Sequence, residues 1–301
     1  MTGARIPRRV YWLVLASVIS AATGRAQTRD RVTITPAIIV AGSPELICVR
    51  VPAATTVAGE WSEGTGPAQK LQFFRGRDLR AWYALAGIDV KAQTGSSSLK
   101  ISARMASGAP LDLSRAVEIL PAHYRTSTLT VAPKFVEPGP DELTRIKAEI
   151  ELKRKVFASS AAEPLWSGDF RAPVHAPPTD SFGTRRTFNG ELASVHEGMD
   201  FRAETGTPVR AGNSGVVVLA RPLYYEGNCV VIDHGQGLFT ISMHLSRIDV
   251  HEGDHVVMGQ LLGLSGATGR VTGPHLHWAV RWQNAYLDPA KMLRMNLTNV
   301  H

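Results

Sequence analysis

Residues 255–282 run HVVMGQLLGLSGATGRVTGPHLHWAVRW. Two apolar runs, HVVMGQLLGL and LHWAVRW, flank a segment dense in Gly, Ser, Thr and Pro. A helix interior is weakened by each such glycine, whereas short apolar runs bounded by turn residues suit strands. Strand, turn, strand is therefore the reading. The glycine-rich GLSGATGR at 263–270 invites comparison with a phosphate-binding loop. It lacks the Lys-Ser/Thr ending and no helical pattern follows, so turns between strands explain it better.

The same pattern continues upstream. GVVVLA (215–220), CVVIDHG (229–235) and LFTISMHL (238–245) alternate with the turn sequences EGN, GQG and EGD. Residues 166–301 are thus expected to form one β-rich domain. Residues 27–123 read as a second all-β unit, in which RVTIT, ELICVRV, KLQFF, AWYALAG, SLKISARM and AVEIL recur at regular spacing. About seven such strands suggest an immunoglobulin-like β-sandwich. Trp61, Trp82 and Tyr83 offer a sugar-binding surface, but aromatics at strand positions belong more often to the core. Between the two units, residues 124–165 form a connector. Within it 138–159 predicts a helix, with Pro140 and Asp141 in its first turn and Lys153, Arg154 and Lys155 in its last. Leu143, Ile146, Ile150 and Phe157 are its expected apolar stripe, and the helix is expected to bridge the domains. A Pro-rich strap, RAPVHAPPTDSFGTRR at 171–186, leads into the second unit. No internal repeat or low-complexity tract is evident. The fold class is mainly β.

The chain has 301 residues and a formal net charge of +7, which at first suggests a polyanionic partner. Its first segment changes that. Arg5, Arg8 and Arg9 precede the apolar run Val10–Ala22, and Gly24-Arg25-Ala26 fits a small-x-small cleavage site. Such a run is too short for an ordinary membrane span, which takes about 20 residues, and suits a signal peptide over residues 1–26. No stable membrane span is expected after cleavage, and with no Cys near the cleavage point a lipid anchor is not expected either. Removing that segment takes away four Arg and leaves 29 basic against 26 acidic residues, or +3. No cluster of basic residues with interleaved aromatics stands out, so no nucleic-acid partner is expected. The chain has 2 Cys, Cys48 and Cys229, both in apolar strand-like runs where a buried free thiol is the blander reading. Cysteine-rich metal sites are excluded. A metal would have to be held by His and carboxylates.

Of the 10 His, those at 175, 196, 234, 244, 251, 255, 275 and 277 crowd the second unit. His275 and His277 stand at i and i+2, on one face of a strand, where two imidazoles make half a metal site. His196 and Asp200, within HEGMD, can supply another nitrogen and an oxygen. Three protein ligands with one water make an open catalytic zinc site, and four close it. His244 by itself reads as a satisfied, semi-buried histidine, and His234, His251 and His255 as structural or solvated. HEGMD also looks like the helical HExxH of zinc proteases with its last His replaced by Asp. Gly198 inside it and the absence of helical periodicity afterwards argue against a helix, and with it against Glu197 as a general base.

Together these segments are recognisable. SVHEGMDF (194–201), GTPVRAGNSGVVVLA (206–220), GNCVVIDHGQG (227–237), MHLSRIDV (243–250), the block 253–280 containing TGRVTGPHLH, and YLDP (286–289) resemble, in order, lysostaphin/LytM-type zinc metallopeptidases. These are murein DD-endopeptidase-like proteins of the duplicated hybrid motif fold. GEW (59–61), FFRGRDLRAWYALAGIDV (73–90), LTVAPKFVE (129–137) and FGTRRTFNG (182–190) resemble the N-terminal sandwich and connector of bacterial members. The resemblance implies that His196, Asp200 and His277 hold one Zn2+ per chain. It implies that His244 and His275 activate a zinc-bound water and stabilise the oxyanion. The implied activity is hydrolysis of peptidoglycan stem-peptide cross-links or cross-bridges by a secreted, periplasmic or cell-wall-associated endopeptidase. Other functions the same resemblance admits are a non-catalytic, peptidoglycan-binding activator of cell-wall hydrolases and a peptidase for extracellular proteins. Many members carry Tyr where this chain has Ser242, two residues before His244, and a Tyr there is thought to help hold the oxyanion. Asn189 matches a family position near the metal.

Overall fold

The computed structural model describes residues 31–63, 68–77, 79–190, 192–298 and 300. The proposed signal segment, residues 1–26, lies outside the described residues. Strands dominate. One sheet of the N-terminal unit has the order β1 (Val32–Thr35), β3 (Pro44–Val49), β7 (Trp82–Gly87), β6 (Phe74–Arg75). The other runs β2 (Ile39–Val40), β9 (Pro110–Leu120), β8 (Gly95–Met105), β4 (Ala54–Glu63), β5 (Gln69–Gln72). In β8 the period of two is plain: Leu99, Ile101 and Ala103 are buried while Lys100 and Arg104 are exposed. Trp61 and Trp82 are buried, so they serve the core and offer no sugar-binding surface. The strand β4, whose residues are mostly small or polar, has no counterpart among the apolar runs picked out from sequence. It is held on both sides, by β5 and β8.

The C-terminal unit is built on an eight-stranded sheet. Its order is β11 (Pro178–Asp180), β14 (Met199–Phe201), β22 (Leu276–Trp282), β18 (Leu238–Leu245), β17 (Gly227–Asp233), β16 (Gly215–Leu223), β20 (His255–Val256), with β23 (Ala285–Leu287) also on β22. A three-stranded sheet of β15 (Pro208–Arg210), β21 (Leu261–Leu264) and β19 (Arg247–Ile248) adjoins it. The connector contributes β10 (Thr126–Leu129), which pairs in parallel with β12 (Arg185–Phe188), itself hairpinned to β13 (Leu192–Val195). A short helix α2 (Pro289–Met292), N-capped by Asp288, follows β23.

Helix α1 (Pro140–Ala158) forms where the sequence predicts it. Of its expected apolar stripe, Ile146 and Phe157 turn inward and the other two do not. Leu143 and Ile150 are exposed. The inward face is instead Leu152, Val156 and Phe157, packed on Leu219, Val231 and Phe239, with Ile146 beside Phe135 and Tyr224. The side chains that set this rotation are polar: Lys153 pairs with Glu226, and the Glu149 carboxylate accepts the Tyr224 N–H at 2.8 Å. The helix lies on the face of the large sheet formed by Phe239, Ile241 and Ala279.

The two β units share one continuous apolar core. Phe74 meets Trp166 edge-to-face at 5.7 Å between ring centroids. Gly87 on β7 leaves no room for a Cβ, which would sit 2.3 Å from Leu287. The Asp288 N–H donates to the Gly42 carbonyl at 2.7 Å, and the Tyr286 N–H to Asp89 at 2.9 Å.

Candidate metal centre

The pairing of β14 with β22 sets Asp200 directly opposite His277. In β18, Met243 pairs with His277 and Ser242 with Trp278. Directly opposed residues share a face, so Ser242 faces the core side with Trp278, away from the His277 face. His244 should alternate with Met243 and point the same way as Ser242. It does not, because its backbone is left-handed, φ 63°, next to an irregularity in the β17–β18 register. That turn brings its ring to 4.9 Å from His275 and 6.0 Å from His277. His196 lies in the turn before β14, tied by backbone bonds to Gly183 and Thr184. HEGMD is thus extended and ends in a strand, and Glu197 is occupied by an ion pair with Lys91 at 2.5 Å.

Three donor atoms converge. His196 Nε2 lies 3.0 Å from Asp200 Oδ1 and 2.9 Å from His277 Nδ1, and the latter is 2.8 Å from Asp200 Oδ1. All three residues are buried. His196 Nδ1 lies 3.0 Å from the Ser181 carbonyl, which can only accept, so Nδ1 carries the proton and Nε2 presents a lone pair. A lone pair facing a carboxylate oxygen at 3.0 Å calls for a cation between them. Donors around a tetrahedral ion at about 2.1 Å lie roughly 3.4 Å apart, about half an ångström more than these separations, a small outward movement of each side chain. The residues therefore fit a metal ion. The second Asp200 oxygen accepts from Arg186 at 2.7 Å, and Arg186 also donates to Asp180. Burial pushes the Asp200 carboxyl up, but hydrogen bonds with His196 and His277 outweigh it and hold the group well below the usual carboxylate range. Burial pushes His277 down, and burial with His277 and His275 nearby pushes His244 down to about 3, so His244 is neutral.

The other two imidazoles flank this cluster. His275 Nε2 is 3.8 Å from Asp200 Oδ1 and its Nδ1 is 2.8 Å from the Gly273 carbonyl. His244 Nδ1 is 2.8 Å from the Thr268 carbonyl. In each, Nε2 is the nitrogen left for chemistry. Gly198 is needed for space: a Cβ there would lie 2.4 Å from His277 Nε2 and 2.8 Å from the Trp278 carbonyl. All five residues singled out from sequence line one cleft of about 440 Å³. Asn189 does not line it; its side chain clasps both backbone groups of Val131. His234 is fully buried between Ser214 and Thr240, a structural histidine. Sequence reasoning missed Asp180, Arg186 and Arg270, whose signals are single charges inside FGTRRTFNG, the Pro-rich strap and TGRVTG.

Residues 194–289 match the family described as Peptidase family M23. This segment is an M23 peptidase domain. It carries all five of the converging residues, and the M23 family is one of metallopeptidases. Similar proteins include the peptidoglycan DD-endopeptidase ShyA of Vibrio cholerae, 54% identical over 83 residues, which are 28% of this chain and 19% of that one. The DD-carboxypeptidase/endopeptidase Mpg of Neisseria meningitidis is 40% identical over 98 residues, 33% of this chain and 23% of that one. The chain thus spans about a fifth to a quarter of the length of these curated relatives. A solved putative peptidase M23 from Pseudomonas aeruginosa is 26% identical, with a TM-score of 0.62 over 84% of this chain and 94% of that one. Its likeness extends well beyond the M23 domain into the N-terminal β unit.

Proposed function

We propose that this chain is an exported zinc endopeptidase that hydrolyses peptide cross-links of bacterial peptidoglycan. The observation that carries the reading is the buried His196–Asp200–His277 cluster with two further imidazoles, His244 and His275, beside it. The substrate class is supported by the similarity of the M23 domain to proteins named peptidoglycan DD-endopeptidases. Export rests on residues 1–26. Among the described residues, no helix is long and apolar enough to cross a membrane.

In this reading His196, Asp200 and His277 hold the zinc, and Ser181 and Arg186 orient two of those ligands. Bound zinc supplies Lewis acidity, which makes water nucleophilic near neutral pH and polarises the scissile carbonyl. His244 and His275, each held through Nδ1, present Nε2 as acceptor. One takes the proton as the water oxygen adds to the carbonyl carbon. The N–H so formed faces the oxyanion and passes the proton to the amine nitrogen as the C–N bond breaks.

The test pairs metal analysis with digestion of purified sacculi and mass identification of the products. Wild-type protein is expected to hold about one zinc per chain, the load of a single three-ligand site. His277→Ala should lose both metal and activity. His275→Ala should keep the metal and lose about 10²–10⁴ in rate. Full activity in both variants rejects the assignment. A wild-type protein without zinc points to a non-catalytic activator, and cleavage of an elastin-like polypeptide but not sacculi points to an extracellular protein substrate.

A further inference from the structure

Charged side chains around the cleft are matched almost throughout. Asp180 and Asp200 share Arg186, Glu197 takes Lys91, and Glu226 takes Lys153. Arg270 stands apart. Its guanidinium stacks on Phe188 at 4.5 Å and on Tyr225 at 4.6 Å. Among the described residues, it makes no close ion pair and no side-chain hydrogen bond; the carboxylate whose field reaches it, Glu226, is already held by Lys153. It is half-buried, and burial disfavours its charge. Contact with two aromatic rings restricts where the guanidinium can sit, and within the described residues no hydrogen bond takes its side-chain N–H donors.

The backbone position is fixed as well. The Arg270 N–H donates to the Tyr225 carbonyl at 2.9 Å, and the His244 N–H donates to the next carbonyl, Glu226, at 2.9 Å. Gly269 and Gly227 pack backbone to backbone, with no room for a Cβ on either. Thr268, two residues before Arg270, holds the His244 ring. Arg270 and His244 are therefore carried by one rigid pair of loops on the same side of the cleft.

We propose that Arg270 is a specificity-determining residue that takes a free carboxylate of the peptide substrate in a planar, two-point contact beside His244. The proposal rests on the peptidase reading above. A cation held stiff, partly desolvated and unpaired in a cleft is a preformed carboxylate receptor, and a charge-assisted pair of this kind corresponds to a tenfold to hundredfold gain in affinity.

The experiment uses the full-length metal-loaded protein and a cross-linked muropeptide in two forms, with its carboxylates free and with them amidated. Cleavage and equilibrium binding are both measured. Wild type should favour the free form by about 10–100-fold in kcat/KM, mainly through KM. Arg270→Met should erase that preference while keeping its metal, and Arg270→Lys should restore part of it. If Arg270→Met weakens both forms equally, or wild type shows no preference in cleavage or binding, the anchor is overturned while the peptidase reading stands on cleavage alone. If wild type cleaves neither form yet binds the free one in an Arg270-dependent way, the anchor stands and the peptidase reading falls.

Discussion

His244 holds a backbone conformation that costs a non-glycine residue on the order of 1 kcal/mol, and the return is a ring on the metal-cluster face of β18. Alternation from Met243 would have aimed it into the core beside Trp278. Four of the five site residues could be picked out from residue type and motif spacing and His244 through the family resemblance, but this reversal could not, because a register irregularity depends on the partner strand. Ser242 illustrates the same point. The concern that it replaces an oxyanion-holding Tyr presumes that this position faces the cleft, and its pairing with Trp278 turns it away. Gly198 is the sharpest test at this scale. Gly198→Ala sets a methyl against the His277 ring and the Trp278 backbone, which cannot both retreat. We expect at least tenfold weaker metal binding, read by chelator competition, in a protein whose circular dichroism is unchanged. Unaltered affinity would mean that His277 is not confined by this glycine.

At the scale of elements, α1 shows where periodicity misleads. Leu143, Ile146, Ile150 and Phe157 form a plausible stripe, and Ile146, Leu152, Val156 and Phe157 form another. A helix with apolar residues on several sides has no unique inner face until a partner supplies one. Here Glu226 and the Tyr224 N–H recruit Lys153 and Glu149 and so choose the second stripe. The ring of Phe157 lies edge-on to buried Phe239 at 5.2 Å and under Arg281 at 4.4 Å. Phe157→Ala should cost about 3 kcal/mol in denaturant unfolding, and Ile150→Ala within about 0.5 kcal/mol. Equal costs would refute the observed rotation.

Across the whole molecule, the two β units meet at a buried carboxyl. Glu45 on β3 accepts from Ser43 at 2.5 Å, lies near Lys291 of α2, and has its second oxygen buried without a partner. Burial pushes it up to about 8 from an ordinary 4.5, against the smaller lowering by Ser43 and Lys291. A carboxyl raised by folding binds its proton more tightly when folded. The stability it confers is complete below pH 4.5 and is lost as the pH rises through 8. Glu45→Gln should therefore raise Tm at pH 8.5 and flatten the decline of Tm between pH 5 and 8.5, measured by calorimetry against wild type. A parallel decline in both proteins would place the pH dependence elsewhere.

Glycine-bounded apolar runs determined the β character of this chain, and HxxxD with HxH determined which side chains can bind a metal. Both are local: strand alternation and turn chemistry act over a few residues and are written in order along the chain. Tertiary structure alone decided the facing of His244, the inner face of α1, the burial of Glu45 and the isolation of Arg270. Each depends on groups distant in sequence, such as Trp278, Glu226, Lys291 and Phe188, whose approach is set by packing and by the pairing of buried charge.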